Sequence, residues 1–311
     1  MAILCSCDTG VNGFGVVDCY GAPDRVVGLA FQSLKNGGVN NVITAPLSQS
    51  DWEALLWNKN GEERISLLSD VKAYVSERDD AVTETIDTID YFISEGKKMV
   101  SFQIIGSPYK LKEYVDSLRC QRSGFYGVSA SGQILGRSKS TGAQDEIFSI
   151  PVQQGTIYSK MIDKTKETLA KMQVTFQIDE NFNDADLVFI PVDEVTADLF
   201  DTEAMIQATA VTSGTSTTLA TTQEIQLNFS LSGQISANGQ EPLEAYNASL
   251  NWEAYNNTTL AAVVISSVSE SSTTAGLYTL TFAAQTTADV IKFSASSIAP
   301  FNFTAFTKTA L

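Results

Sequence analysis

The sequence predicts a mainly β protein of α+β type, an antiparallel barrel or sandwich with one helix, followed by a second, smaller β-sandwich. Two observations predict this: composition changes sharply near residue 205, and short apolar alternations broken by Gly, Asn and Ser run along both sides of the change. From Met205 onward the chain has two basic residues, Lys292 and Lys308, against six acidic ones (Glu224, Glu241, Glu244, Glu253, Glu270 and Asp289). Such a shift marks separately folded units. A chain of 311 residues also exceeds what one core usually supports, so units of roughly 200 and 100 residues are expected. With 43% hydrophobic and 18% charged residues it reads as globular and not disordered. The expected division is an extended arm over 1–25, a β domain over 26–205 and a sandwich over 206–311.

The arm carries Cys5, Cys7, Gly13, Gly15, Cys19, Gly21 and Pro23, turn-forming residues with little apolar content. Residues 26–31 read as a first strand, Asn36-Gly37-Gly38 as a turn, and 39–45 as the strand that returns against the first. Residues 51–57 are a short helix started by Ser50 or Asp51, or a loop with Trp52 and Trp57 packed beneath it. Residues 64–105 alternate as several strands, the clearest being 99–105, ended by Gly106. The best helix signal follows: Ser107 as N-cap, Pro108 at the first position, and Leu111, Val115 and Leu118 on one face.

A hairpin is expected over 125–129 and 133–137, then strands at 147–152, 156–162, 172–178 and 187–192, and a short closing helix over 194–206. Beyond Ala208, Ile225/Leu227/Phe229, Val263/Ile265, Leu277/Tyr278/Leu280/Phe282 and Val290/Ile291/Phe293 are expected to point inward. Short strands at that spacing over about 100 residues indicate a small antiparallel sandwich of immunoglobulin-like type. No Cys pair brackets Trp252, which excludes an antibody-style domain.

The net charge of −16 is unevenly spread. Residues 97–139 carry eight bases (Lys97, Lys98, Lys110, Lys112, Arg119, Arg122, Arg137 and Lys139) against two acids, between flanks that are strongly acidic. A basic block between acidic ones suits contact between copies of the chain; solvated surface and nucleic-acid binding are the alternatives.

Chemistry finds little support. The chain contains no histidine, the commonest general base and metal ligand. Cys5, Cys7, Cys19 and Cys120 lack Cys-x₂-Cys spacing, so free thiols, or a clip between the arm and the helix end, are expected rather than zinc. The acid-rich run 179–186 has Asp184 and Ile190 where a calcium loop needs Gly and Glu, and reads as a polar hairpin tip. No phosphate-binding glycine loop and no nucleophile elbow occur. Neither cofactor nor metal is expected. The N-terminus has no signal-like region and no 18-residue apolar run exists, so no membrane contact is expected.

Three stretches carry a family resemblance: Phe92-Ile93-Ser94-Glu95-Gly96 before a strand, the helix ending in Leu118-Arg119-Cys120, and the hairpin Gly124-Phe125-Tyr126-Gly127-Val128-Ser129-Ala130-Ser131-Gly132-Gln133-Ile134-Leu135-Gly136. With a Cys- and Gly-bearing arm before them, they resemble virion structural proteins of tailed phages infecting Bacteroidetes-type bacteria. The whole plan, a β-rich domain with one helix and then an immunoglobulin-like domain, is similar to a siphovirus major tail tube protein. The resemblance spans residues 5–200 and, by type alone, the C-terminal domain. It implies a tail-tube-like domain whose copies stack as hexameric rings with their inner sheets closed into one barrel, the second domain outside.

The implied partners are further copies of the chain, other virion proteins, and double-stranded DNA that passes without sequence-specific binding. The implied location is the virion tail, assembled in the host cytoplasm. Expected inter-subunit contacts are Cys5, Cys7 and Cys19 on the arm, Lys97, Lys98, Lys110, Arg119, Arg122 and Arg137 in the basic stretch, and Asp179, Asp184 and Asp186 in the acidic one. The arm has too little apolar content to fold against its own domain and is expected to reach a neighbour. Rival readings are a head decoration or auxiliary capsid protein, a cell-surface-binding module using Trp252 or Tyr255, and a carboxylate enzyme such as a glycosidase.

Overall fold

The computed structural model describes residues 25–34, 42–106, 109–138, 145–202, 205–211, 221–229 and 241–310. Over them the chain is mainly β, with several antiparallel sheets and two α-helices. The first unit runs β1 (Val26–Ser33), β2 (Ile43–Thr44), α1 (Gln49–Leu56), β3 (Ile65–Leu68), β4 (Val71–Arg78), β5 (Val82–Ile86), β6 (Ile89–Ser94), β7 (Lys98–Ile105) and α2 (Tyr109–Leu118). It continues through β8 (Ser123–Ser129), β9 (Ile134–Arg137), β10 (Glu146–Ile147), β11 (Ile150–Pro151), β12 (Tyr158–Ile162), β13 (Lys171–Gln177) and β14 (Leu187–Ile190).

One sheet has the order β14-β9-β8-β1-β3, with β11 also on β8; a second has the order β12-β13-β7-β4. Leu29, Phe31 and Phe125 of the first sheet meet Val100, Phe102, Val174 and Phe176 of the second. Phe176 lies edge-on to Phe125 and Phe31 at centroid distances of 5.1 and 5.8 Å. The opposite face of the first sheet, with Ala30, Tyr126 and Val128, packs on Trp52 and Leu56 of α1. A strand covered on both sides loses its polar alternation, and β8 is buried at every position. Gly124 permits this, because a Cβ there would sit 2.4 Å from Ser149 Oγ.

Several expectations need correction. Residues 39–41 of the expected return strand lie outside the described residues, and the described remainder does not return against β1: Ile43–Thr44 pairs with Glu146–Ile147, and β1 lies between β3 and β8. A strand buried on both faces needs long apolar partners, and β8 supplies seven paired positions. The first helix starts earlier than expected, capped by Ser48, whose Oγ accepts from Asp51 N at 3.2 Å. The 147–152 strand is split, because the chain changes partner from β2 to β8. Among the described residues no closing helix follows β14. A single 3₁₀ turn at Val192–Glu194 gives way to a chain bonded alongside Leu47, with Thr196 N donating to Leu47 O at 2.9 Å.

The hairpin of β8 and β9 forms as expected, with Gly132 at φ +95°. In α2, Val115 and Leu118 are buried as their spacing predicts, whereas Ser107, Pro108 and the 36–38 turn lie outside the described residues.

The second unit comprises β15 (Ile206–Val211), β16 (Thr222–Phe229), β17 (Glu241–Pro242), β18 (Trp252–Asn256), β19 (Ala261–Val263), β20 (Ile265–Glu270), β21 (Leu277–Phe282), β22 (Val290–Ala295), β23 (Phe301–Asn302) and β24 (Phe306–Thr309). Sheets β20-β21-β16-β15-β23 and β19-β18-β22-β24 enclose a core of their own that includes Ile225, Leu227, Trp252, Leu280 and Phe293. Tyr278 and Ile291 are buried while their neighbours Leu277 and Val290 are only half-buried. Successive strand residues face opposite ways, so both members of each pair cannot point inward as expected. Trp252 packs tilted against Tyr278 and edge-on to Phe301, and its Nε1 donates to Tyr246 O at 2.9 Å. Lys59 joins the units, its Nζ donating to Ala299 O at 2.8 Å and to Phe301 O.

Candidate assembly surface

β5 and β6 form a two-stranded ribbon that stands apart from the two main sheets. Its turn places Asp87 and Thr88 at φ 49° and 71°. Two successive left-handed residues give the primed kind of turn, whose twist suits a hairpin. The register pairs Ile86 with Ile89, Thr85 with Asp90, Glu84 with Tyr91 and Thr83 with Phe92. Alternation then collects Val82, Glu84, Ile86, Ile89 and Tyr91 on one face, leaving Thr83, Thr85, Asp90 and Phe92 on the other. A bulge between Val82 and Thr83 inserts Ile93.

Every residue of both strands is exposed. Ile86 is 50% exposed, Ile89 57%, Tyr91 50% and Phe92 64%. Ile86, Ile89 and Tyr91 share one face, and exposed apolar groups of this kind mark interaction surfaces. Two strands alone are marginal in water, so such a ribbon gains most from being covered.

The base of the ribbon is built to hold it. The β4/β7 ladder continues into it: Arg78 pairs with Lys98, Asp79 N donates to Lys97 O at 2.8 Å, and Val82 pairs with Ser94. Gly96 is buried there, and a Cβ would lie 2.0 Å from Asp79 O, so no side chain fits. Arg78 donates to Gly96 O at 3.0 Å and pairs with Glu95 at 2.8 Å. Asp184 reaches both Arg78, at 2.9 Å, and Lys98, at 2.5 Å. Burial pushes the Asp184 carboxyl up, but the hydrogen bonds from Lys98 and Arg78 outweigh it and hold the group below the usual carboxylate range. These partly exposed pairs contribute on the order of 0–1 kcal/mol each; their role is to fix the direction of the stem.

The residues singled out from sequence fall into three places. Lys97, Lys98 and Asp184 lie at the ribbon base, with Lys98 Nζ 5.8 Å from the Phe182 ring centre. Arg122, Arg137 and Asp179 line one cleft of about 500 Å³ beside it. Asp179 Oδ1 caps its own turn, accepting from Asn181 N at 2.9 Å, and Asp186 O accepts from Ser138 N at 2.7 Å. Arg119 is apart from these: it donates to Ile157 O at 2.7 Å and pairs with Asp116 at 3.0 Å. Lys110 lies in the first turn of α2, and Cys120 is an exposed thiol just past its end. Cys5, Cys7 and Cys19 lie outside the described residues.

The ribbon is the element that the sequence reading missed as a unit. Its signal was present: apolar residues alternate across 82–93 while residues 79–95 hold six acids and no base. Solubilising charge beside an apolar alternation suggests a strand pair exposed in the monomer. Among the described residues no helix is long and apolar enough to cross a membrane, and no group of three or more His, Cys, Asp or Glu is placed to hold a metal ion. No protein-family profile matches the chain, and no curated protein is significantly similar to it.

Proposed function

We propose that this chain is a structural virion protein of a tailed bacteriophage, which self-assembles as stacked rings into the tail tube that conducts genomic DNA. The observation that carries the proposal is the β5–β6 ribbon, a pair of strands with an apolar face that the described residues of its own chain leave open. Rings of identical subunits satisfy such surfaces and open strand edges by pairing with neighbours. The net charge of −16 suits a conduit that must not grip the phosphates passing through it. Function then belongs to the polymer, with no catalytic residue and no cofactor. Negative-stain images of the purified full-length chain test this. Long hollow tubes, or stacked rings, are the expected result; separate particles at every concentration overturn it, and would favour a head decoration or auxiliary capsid protein.

A second reading has its own observation. On the outer face of the C-terminal unit, Tyr255 is 40%, Leu250 60% and Val264 76% exposed, around a shallow groove of about 690 Å³. A cell-surface-binding module would use that face. Trp252, the other aromatic considered for it, is 4% exposed and belongs to the core. Tyr255→Ala should then weaken attachment to host cells and leave tube formation intact.

A further inference from the structure

We propose that the β5–β6 ribbon of one copy docks on the β12 edge of a second copy. This rests on the self-assembly reading above and names the receiving surface. Three features of the molecule select it.

The first is charge. Residues 79–95 hold six acids and no base, whereas residues 158–171 hold four lysines against two acids. Lys160, Lys164 and Lys166 of that segment are exposed. Opposite patches of this kind steer encounter and fix register.

The second is the edge itself. β12 is the outermost strand of its sheet and pairs with β13 alone among the described strands. An edge strand presents a row of unpaired backbone groups to a further strand. Beside it Tyr158 is 56% and Leu169 59% exposed, offering apolar contact to the face that carries Ile86, Ile89 and Tyr91.

The third is topology. The ribbon prolongs the β4/β7 pair, and β4 is the opposite edge of the sheet from β12. β7 and β13 lie between β4, the outer strand of the ribbon's stem, and the β12 of its own chain, with about 4.8 Å between neighbouring strands. A neighbour placed beside β4 brings its β12 to that stem instead. Part of β4 is a poor partner: Ala73 has φ of 50°, Asp70 just before the strand has φ of 64°, and the register with β7 shifts between Lys72 and Val75. The ribbon offers two fully exposed strands with apolar side chains on that side. Contact between two different edges is heterologous, the kind that closes into rings.

The test uses two full-length charge variants, Glu84→Lys with Asp87→Lys, and Lys160→Glu with Lys164→Glu, followed by sedimentation velocity near physiological ionic strength. All four positions are exposed, and an unchanged melting temperature verifies the fold of each variant. Each variant alone should lower the assembled fraction about tenfold, and mixing the two should restore assembly, since each then offers the other a complementary surface. Variants that assemble as the unmodified chain does, or a mixture that stays unassembled, overturn the docking while tubes of unmodified protein keep the self-assembly reading. An unmodified chain that remains a monomer removes both.

Discussion

β8 and the β5–β6 ribbon are both ordered antiparallel structure, yet the first is buried at every position and the second exposed at every position. Strand-forming residues and period-two alternation are common to both. They differ in where the covering surface comes from. β8 has β1, β9 and β11 beside it, a second sheet over one face and α1 over the other. Among the described residues the ribbon has only its own two strands and a stem. The sequence of a strand therefore determines that it forms, while its partner decides whether it serves the fold or a contact beyond the chain.

The sharpest way to break the comparison is a pair of truncations. Phe176→Ala removes a ring packed against Phe31, Phe102 and Phe125, and should cost about 3–5 kcal/mol in chemical denaturation. Tyr91→Ser in the ribbon should change monomer stability by no more than about 0.5 kcal/mol, and should instead impair assembly. Equal losses of stability would show that the ribbon is part of the core after all.

A smaller effect is expected at the stem. Gly96→Ala places a methyl against Asp79 O and should cost about 1–3 kcal/mol. Hydrogen exchange would show the loss as faster exchange in residues 79–97, with the β8 amides unchanged.

The junction between the two units gives a pH-dependent prediction. Burial lowers the Lys59 amine to about 8, a drop opposed by Glu253 and reinforced by Arg64. The unfolded chain has its lysines near 10.4, so between these values the folded protein binds fewer protons. Stability contributed at this site therefore rises with pH from about 8 toward 10. Above that range the trend reverses, because burial pushes the Tyr74 and Tyr278 hydroxyls up to about 12 and the unfolded chain loses those protons first. Melting temperatures of the unmodified chain and of Lys59→Met, compared from pH 7 to 10, should show the gap shift in favour of the unmodified chain. A constant gap would contradict the assignment.

The smallest effect concerns the ribbon turn. Thr88 holds φ at 71°, which glycine adopts without the penalty of a side chain. Thr88→Gly should slow amide exchange in the ribbon, by up to about 1 kcal/mol of local stability.

Local patterns were legible where local physics decides. The α2 face of Val115 and Leu118 and the β8–β9 hairpin follow from spacing and turn chemistry. Partner choice was not legible. Residues 39–45 look like a return strand, but the neighbours of β1 are the distant β3 and β8, paired with it over four and seven positions. A closing helix is expected over 194–206, but the backbone of residues 194–196 is taken up beside Leu47. For the candidate surface, Lys98 and Asp184 were named from charge alone, and the fold brings them together at the ribbon stem. The ribbon itself was hidden among several alternations over 64–105, because nothing local separates a strand that joins a sheet from one that leaves it.

The central claim is that the ribbon's open face is completed by another copy. Sedimentation velocity of the full-length chain beside one lacking residues 82–94, across a range of concentrations, tests it most directly. The account predicts growth of the full-length chain into large species and a folded, concentration-independent monomer for the shortened one. Identical sedimentation of the two, whether both assemble or neither does, would contradict it.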